Sequence, residues 1–352
     1  MKKYLLLALL PLTAMAAPSL KGFEKTYHDW DLICDNTGTC NMAGYQEERD
    51  GSEHPVSILF TRSAGEKAPV TAQLALLPDE LGNKTAEIIL NGQSLGTIQN
   101  FSEEGNAKLS KEQTTELLTA LKGNASIEVI FGEFKEKVSD KGAAAAMLKM
   151  DEFQQRLNTP SALIRQGQEK HAVLAPQAAP KIEAVSVNNR QTTELKRGEK
   201  QFDAVLALLR KSNGTNEDAE NYCYELHKDD VWNKQITLYP LTKGKVLAQA
   251  ICSSSAYNYT NYYAVLDGKL SKVEQVLENR YNYADYDKNT HILKVKGSFK
   301  SRGLGDCWSG QKAVWNGKTF IRTEEHTSGS CKGFAGGAWG GLPTFVSEIN
   351  VK

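Results

Sequence analysis

Charge of one sign is what this sequence most plainly lacks: 42 lysines and arginines stand against 42 aspartates and glutamates. With no basic excess there is no global electrostatic footprint for a nucleic-acid partner. Long apolar runs are equally scarce. Beyond the first residues no stretch reaches the roughly 20 apolar residues a spanning helix needs, so no membrane span is expected in the mature chain. The histidines, His28, His54, His171, His227, His291 and His326, are too scattered to name a metal centre. Neither Gly303-Leu304-Gly305 nor the glycines at Gly336, Gly337, Gly340 and Gly341 fit a phosphate-binding or dinucleotide fingerprint. No cofactor is implied.

At the start of the chain, Lys2 and Lys3 precede an apolar run over 4–12, and Ala14-Met15-Ala16 follows with small residues. This is the pattern of a secretory signal peptide over 1–16, with Ala17 first in the mature chain and the periplasm as destination. Removing the two lysines leaves 40 basic against 42 acidic residues. The six cysteines then fall into three neighbouring pairs, Cys34 with Cys40, Cys223 with Cys252, and Cys307 with Cys331. Sequence alone leaves connectivity open, but each pair brackets a turn or hairpin, so local pairing in an oxidising compartment is the economical reading. The spacing of Cys34 and Cys40 suits neither a Cys-x-x-Cys redox motif nor a zinc site.

The hydrophobic pattern predicts a mainly β protein with a few short helices, arranged as two β-rich domains. A sandwich-like domain is expected over 17–157, a linker over 158–197 around Ala175-Pro176-Gln177-Ala178-Ala179-Pro180, and a hairpin-rich domain over 198–352. Strands are expected over 30–34, 56–60, 70–77, 87–90, 127–131, 222–226, 236–239, 246–252, 262–266 and 292–295. Ser110 followed by Gln113 reads as a helix cap, and Ser139 or Asp140 as the cap of a helix beginning near Ala143. Val314-Trp315-Asn316-Gly317-Lys318-Thr319-Phe320-Ile321 is the clearest hairpin.

The N-terminal pattern, Trp30 to Cys34, then Cys40, then a late strand leading into an alanine-rich helix, resembles the invasion-associated locus B family of bacterial envelope proteins. That resemblance implies a compact, mostly β domain. Members often carry a further cysteine pair in mid-domain, which this chain lacks between Cys40 and Cys223, so whatever depends on that pair does not transfer. The C-terminal half shows Tyr222-Cys223-Tyr224, Cys252 followed by Ala256-Tyr257-Asn258, Arg302-Gly303-Leu304-Gly305-Asp306-Cys307, and Trp315 to Phe320 ahead of Cys331. In combination these resemble the bacterial family catalogued as domain of unknown function 1176, across nearly the whole mature chain. The resemblance implies a periplasmic protein and supplies no mechanism.

Three constellations offer chemistry. Asp285, Asp287 and Asn289 begin like a calcium loop, but Thr290 and Lys296 stand where glycine and glutamate belong, which favours a solvated turn. Tyr257, Tyr259 and Tyr263 could share one strand face as a recognition surface; the competing explanation is that alternating tyrosines pack in a sheet. Arg302 and Asp306 sit among turn glycines that could present them at a groove. The first reading is a non-enzymatic periplasmic binding protein whose partner is another envelope protein or a cell-wall glycan. The alternatives are an envelope-polymer hydrolase using Asp306, and a structural envelope protein.

Overall fold

Trp30, Leu32 and Cys34 alternate along one strand, Met42 adds to them from the next, and Ile58 and Phe60 from the one after, giving a sheet with a continuous apolar face. A computed structural model describes residues 20–47, 54–80, 85–219, 221–229, 234–278 and 280–352. The expected signal peptide lies outside the described residues. The N-terminal half runs β1 (Phe23–Tyr27), β2 (Trp30–Cys34), β3 (Cys40–Tyr45), β4 (Val56–Arg62), β5 (Val70–Leu76), β6 (Ala86–Leu90), β7 (Gln93–Ile98) and β8 (Asn106–Lys108). Helix α1 (Lys111–Ala120), β9 (Ile127–Phe131), β10 (Phe134–Val138) and helix α2 (Ala143–Phe153) follow. A six-stranded sheet, β1-β2-β3-β4-β5-β8, and a four-stranded one, β10-β9-β6-β7, close on one core with both helices.

Ser110 and Gln113 form the expected reciprocal cap of α1. The cap of α2 differs from expectation. Gly142 holds that position at φ 98°, because a Cβ there would collide with the Tyr27 carbonyl oxygen. Ser139 and Asp140 are engaged elsewhere: the Ser139 carbonyl accepts from Trp30 Nε1 at 2.8 Å, and the Asp140 carboxylate from the Ala125 N–H at 2.8 Å.

After α2 the chain straps itself to the N-terminal half. Buried Asp151 accepts from the Leu163 and Ile164 N–H groups at 2.7 and 3.0 Å, and buried Arg156 donates to Gln154 Oε1 at 2.9 Å and to the Gly65 carbonyl at 2.5 Å. Burial, then the neighbouring Arg62, pulls the Arg156 pKa down to about 10, which leaves it charged at neutral pH. Leu174 bonds to Gln154 and to Gly65, and Gln177 to Thr37. The interval 158–197 is therefore held in place. It contains two strands that its weak periodicity did not reveal, β11 (Lys181–Ala184) and β12 (Thr193–Lys196).

The C-terminal half continues with α3 (Lys200–Asn213), α4 (Tyr224–His227), β13 (Gln235–Pro240), β14 (Val246–Ser254), β15 (Tyr259–Leu266) and β16 (Val273–Val276). It ends with β17 (Tyr283–Tyr286), β18 (Leu293–Lys300), β19 (Trp308–Trp315), β20 (Phe320–Thr327), β21 (Leu342–Val346) and β22 (Glu348–Val351). Sheet β12-β13-β14-β15-β16 carries α3 and α4 on one face. Its other face meets sheet β17-β18-β19-β20-β21 through Leu247, Tyr263, Val265, Leu293, Val295, Trp315 and Phe320. The strand expected over 222–226 is corrected to helix α4: the Cys223–Cys252 disulfide pins this segment across β14, where Leu226 packs into the helical layer. Trp315 is fully buried with its indole N–H on Thr242 Oγ1 at 2.9 Å. Beyond it, Asn316 Oδ1 caps the turn through the Lys318 and Thr319 N–H groups. Strands β11 and β22 pair in parallel, and Ile182 and Ala184 cover Ile292 and Val314.

The six-stranded sheet is buried on its second face as well. There Ile33, Ala43, Tyr45 and Leu59 meet Phe334, Ala338 and Trp339, from the segment between β20 and β21, and Leu342 at the start of β21. The disulfide Cys307–Cys331 fixes that segment, and all three local pairings are formed. Ser330 donates to buried Asp31 from both N–H and hydroxyl, Lys332 Nζ donates to the His28 carbonyl at 3.0 Å, and Trp339 Nε1 to Ser57 Oγ at 2.9 Å. Buried polar groups find their partners across the joint between the halves.

Candidate functional site

Asp306 is placed where it joins strands, not where it meets solvent. Its buried carboxylate takes Arg302 Nε and Nη2 at 2.7 and 2.5 Å and the Gly333 N–H at 2.7 Å. Burial alone would raise its pKa; the guanidinium and the Gly333 N–H outweigh that and hold the group below the usual carboxylate range. The turn glycines do not expose Asp306 at a groove as expected: its carboxylate is enclosed by three donors and holds the turn. Among the described residues Asp306, Cys307 and Cys331 bring ligand-type atoms within 4.8 Å of one another, but both sulfurs are consumed in the disulfide. Asp287 is similarly committed, to Lys294 Nζ and to the Thr290 and Asn289 N–H groups, which closes the turn. A Gly-x-Ser-x-Gly spacing, Gly92-Gln93-Ser94-Leu95-Gly96, falls on the β6–β7 hairpin, with exposed Ser94 bonded to Glu87. It lacks the strand-to-helix elbow that a nucleophilic serine requires.

The tyrosines divide by depth. Tyr263 is 0% exposed in the inter-sheet core, 6.5 Å from the ring of Tyr281, and offers nothing to a partner; its place in the recognition surface is withdrawn. Alternation did put Tyr259 and Tyr263 on one face, but that face is the one closed by the second sheet. Tyr257 and Tyr259 remain at the surface, 57% and 36% exposed, and Tyr283, 45% exposed, joins them with its ring 5.7 Å from Tyr259. Burial, with Tyr283 alongside, pushes the Tyr259 hydroxyl up to about 12, so it stays protonated at neutral pH.

A larger feature lies between the halves. On the inner face of sheet β17-β18-β19-β20-β21, the rows beyond Val295 and Ala313 lie outside the inter-sheet core and beside β1. Register places Gly297, Gln311, Glu325 and Phe345 in one row and Phe299, Ser309 and Thr327 in the next. With Leu20, Lys21, Glu24 and Asn36 from the N-terminal half, and Arg280 above, all of these but Gly297 line a cleft of about 980 Å³. That volume is at the upper end of ligand sites, and the position between two packed units is a common one for them. Arg322 Nη1 pairs with Glu325 at 2.9 Å while its guanidinium lies 5.1 Å over the Phe345 ring. Glu24 is exposed on β1, yet its pKa lies above the usual carboxylate value, first through partial desolvation by the cleft wall and further through Asp31, against a hydrogen bond from Thr327. Gly297 lacks the Cβ that would collide with the Arg280 carbonyl, so the chain crosses directly over the sheet there.

None of these cleft residues stood out in the sequence. The available signal was β20, Phe320–Thr327, whose Arg322-Thr323-Glu324-Glu325-His326 run is polar on both faces after an apolar Phe320-Ile321 start.

Fold and cleft together define a β-rich, disulfide-bonded protein with a mixed polar and aromatic groove between its halves. The chain belongs to the family described as Protein of unknown function (DUF1176), which matches residues 24–346. It is 23% identical over 358 residues to the Uncharacterized protein YpfG of Escherichia coli strain K12, covering 94% of this chain and 95% of that protein. The tail fiber of Staphylococcus aureus phage P68 aligns with a TM-score of 0.12 and 9% identity over 90% of this chain and 70% of its own, too little to carry an argument. Three disulfides are consistent with an extracytoplasmic protein, and among the described residues no helix is long and apolar enough to cross a membrane.

Proposed function

We propose that this is a non-enzymatic binding protein of the bacterial envelope, exported to the periplasm, that takes a cell-wall glycan in the cleft between its halves. The observation that carries this reading is the cleft itself, about 980 Å³, with Phe299 and Phe345 as apolar floor beside the planar polar groups of Arg322, Glu325 and Gln311. Sugars present apolar faces ringed by hydroxyls, and such a surface meets both demands with little side-chain ordering because Arg322 is already braced by Glu325 and Phe345. Calorimetric titration with soluble glycan strands released from bacterial cell wall is the test. Arg322→Ala is expected to weaken binding by about 1–3 kcal/mol, the range of an interface anchor, with little change in melting temperature. Equal affinity of the folded variant would remove Arg322 and the cleft from the account.

One observation favours hydrolysis as a second reading: Glu24, exposed on β1 with its pKa raised by partial desolvation and by Asp31, and Glu325, paired to Arg322, line the same cleft as carboxyl groups in unlike environments. Under that reading the purified protein releases reducing ends from cell-wall glycan, and Glu24→Gln abolishes the release. Binding without turnover leaves the first reading standing alone.

A further inference from the structure

We infer that the ligand of this cleft is a chain rather than a single unit, and that it continues out of the cleft onto an exposed tyrosine and lysine surface at Tyr257, Tyr259 and Tyr283. This rests on the cleft reading and adds the ligand's length and charge. The two features share strand ends. Thr260 and Phe299 line the cleft, and their chain neighbours Tyr259 and Lys300 belong to the surface patch; alternation turns Lys300 to the opposite face of β18 from Phe299, so a strand leaving the cleft reaches the patch by passing over the ends of β15 and β18. The junction is braced in both directions: Asn258 Nδ2 donates to the Lys300 carbonyl at 2.8 Å and accepts the Lys300 N–H on Oδ1 at 3.0 Å. Tyr257 is seated against Gly303, where a Cβ would fall 3.0 Å from its Cζ and hydroxyl. The ring therefore stands in a fixed place, although it is 57% exposed.

Charge on this patch is basic and aimed at the rings. Lys300 Nζ lies 5.3 Å from the centre of Tyr257, and Lys296 Nζ lies 5.5 Å from that of Tyr283. Register sets Lys296 opposite Lys312 on β19, and Lys312 is already paired with Glu324 at 2.8 Å, so Lys296 and Lys300 are the ammonium groups this patch presents beside its rings. Rigid aromatic faces suit sugar rings, and ammonium groups between them suit carboxylates. The occupant that fits is an acidic glycan strand whose sugars stack on the tyrosines and whose carboxylates meet Lys296 and Lys300.

The experiment is titration of the full chain with cell-wall glycan strands fractionated by length, with N-acetylglucosamine oligomers of matched length as the neutral probe. Affinity is expected to rise with length for the acidic strands and to rise less for the neutral ones. Tyr257→Ala together with Tyr283→Ala is expected to abolish that rise, lowering affinity for the longest strands about tenfold while leaving the shortest unchanged. Lys300→Ala is expected to erase the preference for acidic over neutral strands. Affinity independent of length, or a tyrosine variant that binds long strands as the parent does, overturns the inference while the cleft stands. Failure of every strand to bind overturns the cleft reading and this one with it.

Discussion

At the scale of single residues, two carboxyl groups respond to pH in opposite senses. Asp306 has its folded pKa depressed, so its contribution is full above the unfolded value, near 3.8, and is lost as pH falls below that through the folded value. Arg302→Ala leaves the buried carboxylate with the Gly333 N–H as its remaining donor among those described, and is expected to lower stability by about 1–3 kcal/mol at neutral pH. Denaturant unfolding of the variant and the parent should converge in acid. Glu24 is raised in the fold, so its favourable form is the protonated one, and its contribution is lost as pH rises above the unfolded value near 4.5 through the folded value. Because Glu24 is exposed on β1 and screened by solvent, Glu24→Gln should match or slightly exceed the parent's stability at neutral pH, within about 0.5 kcal/mol, and equal it in acid; a clearly less stable variant at pH 7 would show that the ionised form is the one the fold prefers.

Among elements, hairpins and their staples were readable because their causes are local. Cys34 and Cys40 face each other across a short turn, Asn316 and Gly317 can hardly do otherwise than turn, and Ser110 with Gln113 writes its own cap. The cap of α2 was not readable, since Gly142 answers to a carbonyl on β1 more than a hundred residues away in the chain. Gly142→Ala should lower stability by about 2 kcal/mol or more, combining positive φ with a backbone collision. Gly123→Ala, with nothing within 4 Å of its Cβ and no positive φ, should change stability by less than about 0.5 kcal/mol. A comparable loss at both sites in thermal unfolding would refute the close-approach argument. The helix at Tyr224–His227 was misread as a strand for a similar reason: its tyrosines and cysteine suit a sheet, but the disulfide to Cys252 and the packing of Leu226 decide. We place the boundary between the halves within 158–197. Protease should cut first at the exposed stretches 175–178 or 188–192; first cleavage inside β14 or β15 would move it.

For the whole molecule, the cleft was hidden because nothing local makes it. Glu24 and Thr327 meet there from strands at opposite ends of the chain, and the groove exists only because a disulfide-fixed segment docks one sheet onto another. The tyrosine pattern showed that a face existed without showing what covered it, so Tyr263 was grouped with Tyr259 although one is core and the other rim. The hydrophobic pattern identified the β architecture better than the site, since a balanced charge count is silent about where the charges converge. The central claim is that the space between the halves is where ligand sits. Hydrogen–deuterium exchange of the full chain, with and without saturating cell-wall glycan strands, tests it most directly. The account predicts new protection on β1, on the segment around Arg280 and on β20 and β21, with the far sheet β6–β7 unchanged; protection elsewhere, or none at saturation, would contradict it.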